Sequence, residues 1–134
     1  MCESELILVS APTKAGETFL LRLRQLGLPC QALAESEADC RRMRALGVEL
    51  CLLMEPEGDE TVDRGPLPLQ SFEKIILFDN SMAQCCRQLE RVRPWTRRKI
   101  YVITERIFAD AIFKQYGADF VIHSKTGQVD FIVR

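Results

Sequence analysis

Three times in this chain an apolar helical stretch runs into a glycine and then directly into another apolar residue. The segments are Gln-Leu-Gly27-Leu, Ala-Leu-Gly47-Val and Gln-Tyr-Gly117-Ala. A glycine just past a helix accepts the left-handed backbone that turns the chain back on itself. Each is followed by a short apolar run of strand length, so the chain repeats one strand–helix unit rather than a solenoid module. The strand candidates are Glu5–Val9, Cys30–Ala34, Val48–Leu53, Lys74–Phe78, Ile100–Ile103 and Phe120–Ile122, with Val129–Val133 as an extra C-terminal edge strand. They lack polar alternation, which implies burial on both faces and a parallel sheet between helix layers.

The helices are read from period and caps. Thr18–Leu26 puts Phe19, Leu20, Leu23 and Leu26 on one face. Ser36 is placed to cap a second helix, with Glu37 and Asp39 in its first turn and Cys40, Met43 and Leu46 at helical spacing. Ser81-Met-Ala-Gln84 fits a capping box and opens a third, carrying Met82, Cys85, Cys86, Leu89 and Val92 up to Pro94. A fourth is read from Ile107, Phe108, Ala111, Ile112 and Phe113. Right-handed crossovers then predict a doubly wound α/β domain, a three-layer sandwich of the Rossmann type with strand order 3-2-1-4-5-6. Glu55–Ser71, rich in proline, glycine and acids, is the one long loop.

At 134 residues the chain, 1–134, is expected to be a single domain. Its net charge of −1 offers no bulk attraction to nucleic acid or to an anionic membrane. No apolar run approaches the ~20 residues that cross a bilayer. The six cysteines form no C-x-x-C pair and the only histidine is His123, which argues against zinc. The acidic N-terminus lacks the basic region of a signal peptide, so a cytoplasmic protein with reduced thiols is expected.

Ligands of such folds sit beyond the carboxyl ends of the strands, where the strand order reverses. That points to Ser10–Gly16, Ala34–Ser36 and Phe78–Ser81, with Thr104–Arg106 nearby. The first loop should carry G-x-G-x-x-G. With Gly16 as the third glycine, Ala11 and Thr13 hold the first two places; in the wider spacing Ser10 and Thr13 hold them. Ala11, Pro12 and Thr13 restrict the approach of a pyrophosphate to the backbone, and Pro12 removes an N–H. Ser10, Thr13 and Lys14 could hold a phosphate through side chains instead; alternatively Thr13 simply caps the helix. Glu35 lies 19 residues after Gly16, where an acid accepts the ribose hydroxyls of NAD or an adenine nucleoside and repels a 2′-phosphate. Asp79, ending the fourth strand, could face the same crevice.

Arg44-Ala-Leu-Gly47-Val, Ile76-Leu-Phe-Asp79-Asn80 and the run from Arg106 to Tyr116-Gly-Ala-Asp119-Phe-Val-Ile122 carry a resemblance. From Leu6 to about Ser124 the layout resembles the nucleotide-binding domain of the RCK (regulator of potassium conductance) group, also called TrkA-N or KTN. The first half also looks like NmrA-type NAD(P)-binding proteins. The resemblance implies a site for NAD or an adenine nucleotide that regulates a partner rather than turning over substrate. By analogy Gly16 would face the phosphates, Glu35 the adenosine ribose and Asp79 the cleft. The family's second subdomain is not among these residues.

Catalytic signals are sparse. Tyr101 and Tyr116 lack the lysine of a Tyr-x-x-x-Lys dyad, and the acids and lysine of a response-regulator receiver are missing from their places. His123 reads as structural, as does at least one of Cys85 and Cys86. The basic run Arg87–Lys99 around Trp95 reads as a solvated helix end, away from the crevice. An exposed sheet edge at Val129–Val133 suggests a homodimer. The sequence therefore predicts a non-catalytic, regulatory nucleotide-binding module with an altered phosphate loop. The alternatives are a small NAD(P)-dependent oxidoreductase of NmrA-like or dehydrogenase ancestry, or a ligand-free protein-interaction scaffold.

Overall fold

A computed structural model describes residues 6–48, 50–53, 72–95, 99–126, 129 and 132. The long loop expected over Glu55–Ser71 falls outside them, as do Cys2, Arg97 and Arg98. Six strands are described: β1 (Ile7–Ser10), β2 (Cys30–Ala34), β3 (Cys51–Leu53), β4 (Lys74–Phe78), β5 (Lys99–Thr104) and β6 (Phe120–His123). They form one parallel sheet in the order β3-β2-β1-β4-β5-β6. This is the predicted doubly wound order, with the reversal between β1 and β4.

Helices α1 (Lys14–Leu26) and α2 (Glu37–Ala45) cover one face; α3 (Met82–Val92) and α4 (Asp110–Gln115) cover the other. Alternate residues of each strand feed the two cores. Ile7 and Val9 join Phe19, Leu20 and Leu23 under α1, while Leu8 joins Leu33, Ile75 and Leu89 under α3. The central strands are buried on both faces, which is why they read as unbroken apolar runs.

The three glycine corners share one hydrogen-bond pattern. Gly27 N–H donates to Arg24 O and Leu28 N–H to Leu23 O. Gly47 to Arg44 with Val48 to Met43, and Gly117 to Lys114 with Ala118 to Phe113, repeat it. All three glycines have positive φ, and the residue after each is apolar and belongs to the same core as its acceptor. This is the Schellman closure, which satisfies the last helical carbonyls while aiming the chain into the next strand.

Three expectations are corrected. The fourth helix begins at Asp110, not Ile107; Ile107 and Phe108 are 71% and 92% exposed in an irregular segment. Ala109 precedes α4 and offers it no side-chain cap. Of the edge strand expected over Val129–Val133 only Val129 and Ile132 are among the described residues; the Ile132 N–H donates to Val129 O, and neither belongs to a strand of the sheet. Val129 and Ile132 are buried in the α1-side core with Ile76 and Ile103. Finally, Cys40 and Cys51 form a disulfide across a Cα–Cα distance of 5.8 Å, against the expectation of reduced thiols. Packing of α2 on β3 brings together two cysteines that their sequence spacing does not mark as a pair. No helix among the described residues is long and apolar enough to cross a membrane.

Candidate functional site

The loop after β1 is built to close tightly. Ser10 and Ala11 are buried. Thr13 has extended backbone, its Oγ1 accepts the Gly16 N–H at 3.0 Å and its carbonyl accepts the Glu17 N–H at 3.0 Å. The Glu17 bond is the first of the helical ladder, and the Thr13 hydroxyl takes one of the N–H groups otherwise left open at the start of α1, that of Gly16. Gly16 serves packing: a Cβ there would stand 2.7 Å from Ala11 Cβ and 2.8 Å from Ala11 Cα. It fills the role of the third glycine, close helix–strand approach. The N–H groups of Lys14 and Ala15 have no acceptor within the helix.

Opposite this loop lies a cavity of about 110 Å³ bounded by Thr13, Lys14, Asp79, Thr104, Ser124 and Lys125. Asp79 leaves the end of β4 with its side chain 2% exposed. Its Oδ2 accepts the Thr104 hydroxyl at 2.7 Å and Arg106 Nε at 2.6 Å. The same hydroxyl accepts the Arg106 backbone N–H at 2.9 Å. Asp79 Oδ1 is buried and has no hydrogen-bond partner among the described residues. An ionised carboxylate oxygen in that state lacks a donor it would normally have.

Glu35, beyond β2, repeats the arrangement on the other side of β1. Its side chain is 9% exposed, Oε1 pairs with Arg87 Nη2 of α3 at 3.0 Å, and Oε2 is buried without a partner among the described residues. Because β2 and β4 flank β1, the two half-satisfied carboxylates stand on either side of the strand-order reversal. Ser10 ends β1, Ala11 and Thr13 lie in the loop between them, and Lys14 and Gly16 in the first turn of α1.

Sequence reasoning named these positions, with Arg106 nearby, but did not pair Arg106 with Asp79 and set Arg87 at the far end of the sheet. Arg87 lies mid-helix and reaches the crevice, so the basic run is not confined to the far end of the sheet. Arg93, from the same run, donates to Gly117 O at 2.8 Å and to Asp119 Oδ2 at 3.0 Å. Burial pushes the Asp119 carboxyl up, but the Ile100 N–H and Arg93 outweigh it and hold the group below its ordinary range. His123 Nε2 lies 3.1 Å from Asp110 Oδ1 at the start of α4, a pair the sequence did not suggest.

The cysteines of α3 are poor nucleophiles. Burial first, and the Asp79 charge second, push the Cys85 thiol far above its ordinary value. Cys86 is raised by burial, Asp79 and Glu90. A larger cavity of about 340 Å³ sits at the opposite end of the sheet, between the ends of α1 and α2, where Arg24 is the only charged residue of its lining among the described residues. Its size does not make it the better site, because the orphaned carboxylate oxygens are at the crevice.

Solved structures share this fold. The GsuK channel bound to NAD is similar over 90% of this chain and 21% of that one, at TM-score 0.70 and 15% identity. The GsuK RCK domain matches over 90% and 26%, at 0.68 and 15%. The NAD(P)-binding domain of an exopolyphosphatase-related protein from Archaeoglobus fulgidus matches over 98% and 92%, at 0.69 and 18%. This chain spans only a fraction of either GsuK chain. At these identities the likeness is one of fold: the doubly wound Rossmann architecture expected from the sequence is the one observed. No protein-family model and no curated protein matches the sequence.

Proposed function

We propose that the chain is a single, non-catalytic nucleotide-binding module that regulates a partner protein through NAD(H) or an adenine nucleotide. The observation that carries this reading is the pair of buried, half-satisfied carboxylates, Glu35 and Asp79, on either side of the strand-order reversal. A nucleoside brings the donors they lack: ribose hydroxyls suit Glu35 Oε2, and a hydroxyl or amide N–H suits Asp79 Oδ1. The phosphate end fits less directly. Thr13 already occupies the Gly16 N–H and Ala11 fills the space of an absent glycine. A phosphate would therefore be held by Lys14, with the N–H groups of Lys14 and Ala15, rather than by a bare glycine loop. The neighbours that are NAD-bound or NAD(P)-binding support the ligand class.

Calorimetric titration with NADH, NADPH, ATP, ADP and AMP tests it, repeated on Glu35→Ala. Micromolar binding weakened at least tenfold by the substitution supports the module. No heat with any ligand, on folded protein, overturns it. A second reading, a scaffold acting through protein contacts alone, is favoured by the self-capped phosphate loop and by exposed Ile107, Phe108 and Phe120. Either reading accommodates a homodimer formed along β6, which pairs with β5 on one side only among the described strands.

A further inference from the structure

Glu35 taken alone would reject a phosphorylated ribose, because its charge stands where the phosphate would go. The structure does not leave it alone. Arg87 crosses from α3 to Glu35 Oε1, 52 positions away in the chain. Glu35 is the buried member of the pair, and the Arg87 side chain is 44% exposed, so the cation is open to solvent beside it. An arginine has five N–H donors in a rigid fork, and among the described residues one contact, to Glu35, is made by this one. The remaining donors and the positive charge are at hand for an anion, beside the carboxylate that would hold the ribose.

From this geometry we infer that Arg87 sets the cofactor specificity of the crevice and makes it accept a 2′-phosphorylated adenine dinucleotide about as well as an unphosphorylated one. This rests on the nucleotide-binding reading above. Glu35 Oε2, without a partner, takes one ribose hydroxyl; Arg87 stands next to the neighbouring ribose position. A free hydroxyl there needs nothing from the guanidinium, and a phosphate gains a charge-assisted contact that offsets the nearby carboxylate. The acid-means-NAD rule drawn from the sequence is thereby neutralised by a residue of a different helix.

NADH and NADPH differ only in the 2′-phosphate, so their intrinsic fluorescence on titration isolates the effect. The intact protein is expected to bind the two within about threefold of each other. Arg87→Gln retains an amide N–H for Glu35 and removes the charge. It is expected to weaken NADPH about tenfold relative to NADH. Arg87→Lys restores charge and should recover most of the ratio, and Glu35→Gln should tilt it toward NADPH. These two variants carry the test if Arg87→Gln fails to fold. Intact protein that rejects NADPH tenfold or more, or variants that leave the ratio unchanged while NADH still binds, overturn the assignment of Arg87 alone. Intact protein that binds neither dinucleotide overturns the nucleotide site itself, and this inference with it.

Discussion

Gly16→Ala is the substitution on which the described packing makes its sharpest claim. In an exposed helix interior, glycine to alanine gains up to about 1 kcal/mol from propensity. Here the new Cβ meets Ala11 Cβ at 2.7 Å and, more seriously, Ala11 Cα at 2.8 Å. Ordinary carbon contacts begin near 3.5 Å, so α1 must retreat from β1 by nearly ~1 Å. It cannot retreat cheaply, because Phe19, Leu20 and Leu23 of the same helix are seated in the core. Because part of the clash is with backbone, the overpacking cost falls in the upper part of its usual range, about 2–3 kcal/mol, which outweighs the propensity gain and leaves a net loss of roughly 1–2 kcal/mol. For a chain of this length that lowers Tm by about 4–7 °C. The assay is thermal and urea unfolding followed by far-ultraviolet circular dichroism. Gly27→Ala is the contrasting control: its Cβ meets nothing within 4 Å, yet φ is +72°, so it should lose about 1 kcal/mol through backbone strain alone. Ala11→Gly should partly rescue Gly16→Ala and have no such effect on Gly27→Ala. An unchanged or raised Tm for Gly16→Ala would refute the close approach of α1 to β1.

Three further outcomes are expected. Asp119 has a folded pKa below its unfolded value, so its stabilising contribution is full above the ordinary carboxylate range near pH ~4 and is lost as pH falls through the folded value. Asp119→Asn should flatten the acid limb of a stability–pH profile; an unaltered limb would show that the Arg93 and Ile100 contacts are not formed in solution. Reducing the Cys40–Cys51 bond, which closes a short stretch of chain, should cost about 2 kcal/mol in urea unfolding, and thiol counting before and after should differ by two. Static light scattering should give twice the 15.3 kDa of one chain if β6 edges pair, and the monomer mass would exclude that arrangement.

Much of the architecture was legible because local signals and burial agreed. Lys74–Phe78 and Cys30–Ala34 are strands as read, and Ser36 and Ser81 cap their helices through the Asp39 and Gln84 N–H groups. Period misled at Ile107 and Phe108, whose spacing fits the α4 face but which precede any residue able to start the helix. Val129 and Ile132 were legible as apolar but not as a turn, since two buried residues fit either form. At the site, Glu35 and Asp79 could be placed by counting from strand ends. Arg106 could be set near the crevice but not paired with Asp79, and Arg87, 52 residues from Glu35, was read at the far end of the sheet; packing of α3 and the loop after β5 brings both in. The Thr13 cap was legible as an alternative to a phosphate role; the contact that makes Gly16 indispensable to packing was not.

The three Schellman corners all fall where helices hand over to strands, at one rim of the sheet. The opposite rim, with Ser10–Thr13, Glu35–Ser36, Asp79–Asn80 and Glu105–Ala109, has no such repeated closure. The two rims should therefore respond unequally to insertion. A residue added at Gly27, Gly47 or Gly117 would displace a positive-φ pivot and rotate the following strand out of register. One added between Arg106 and Phe108 would lengthen a segment already in solvent. The molecule is hinged to evolve from one side: its corners preserve the frame, and its open rim is where new binding chemistry can be acquired without refolding the rest.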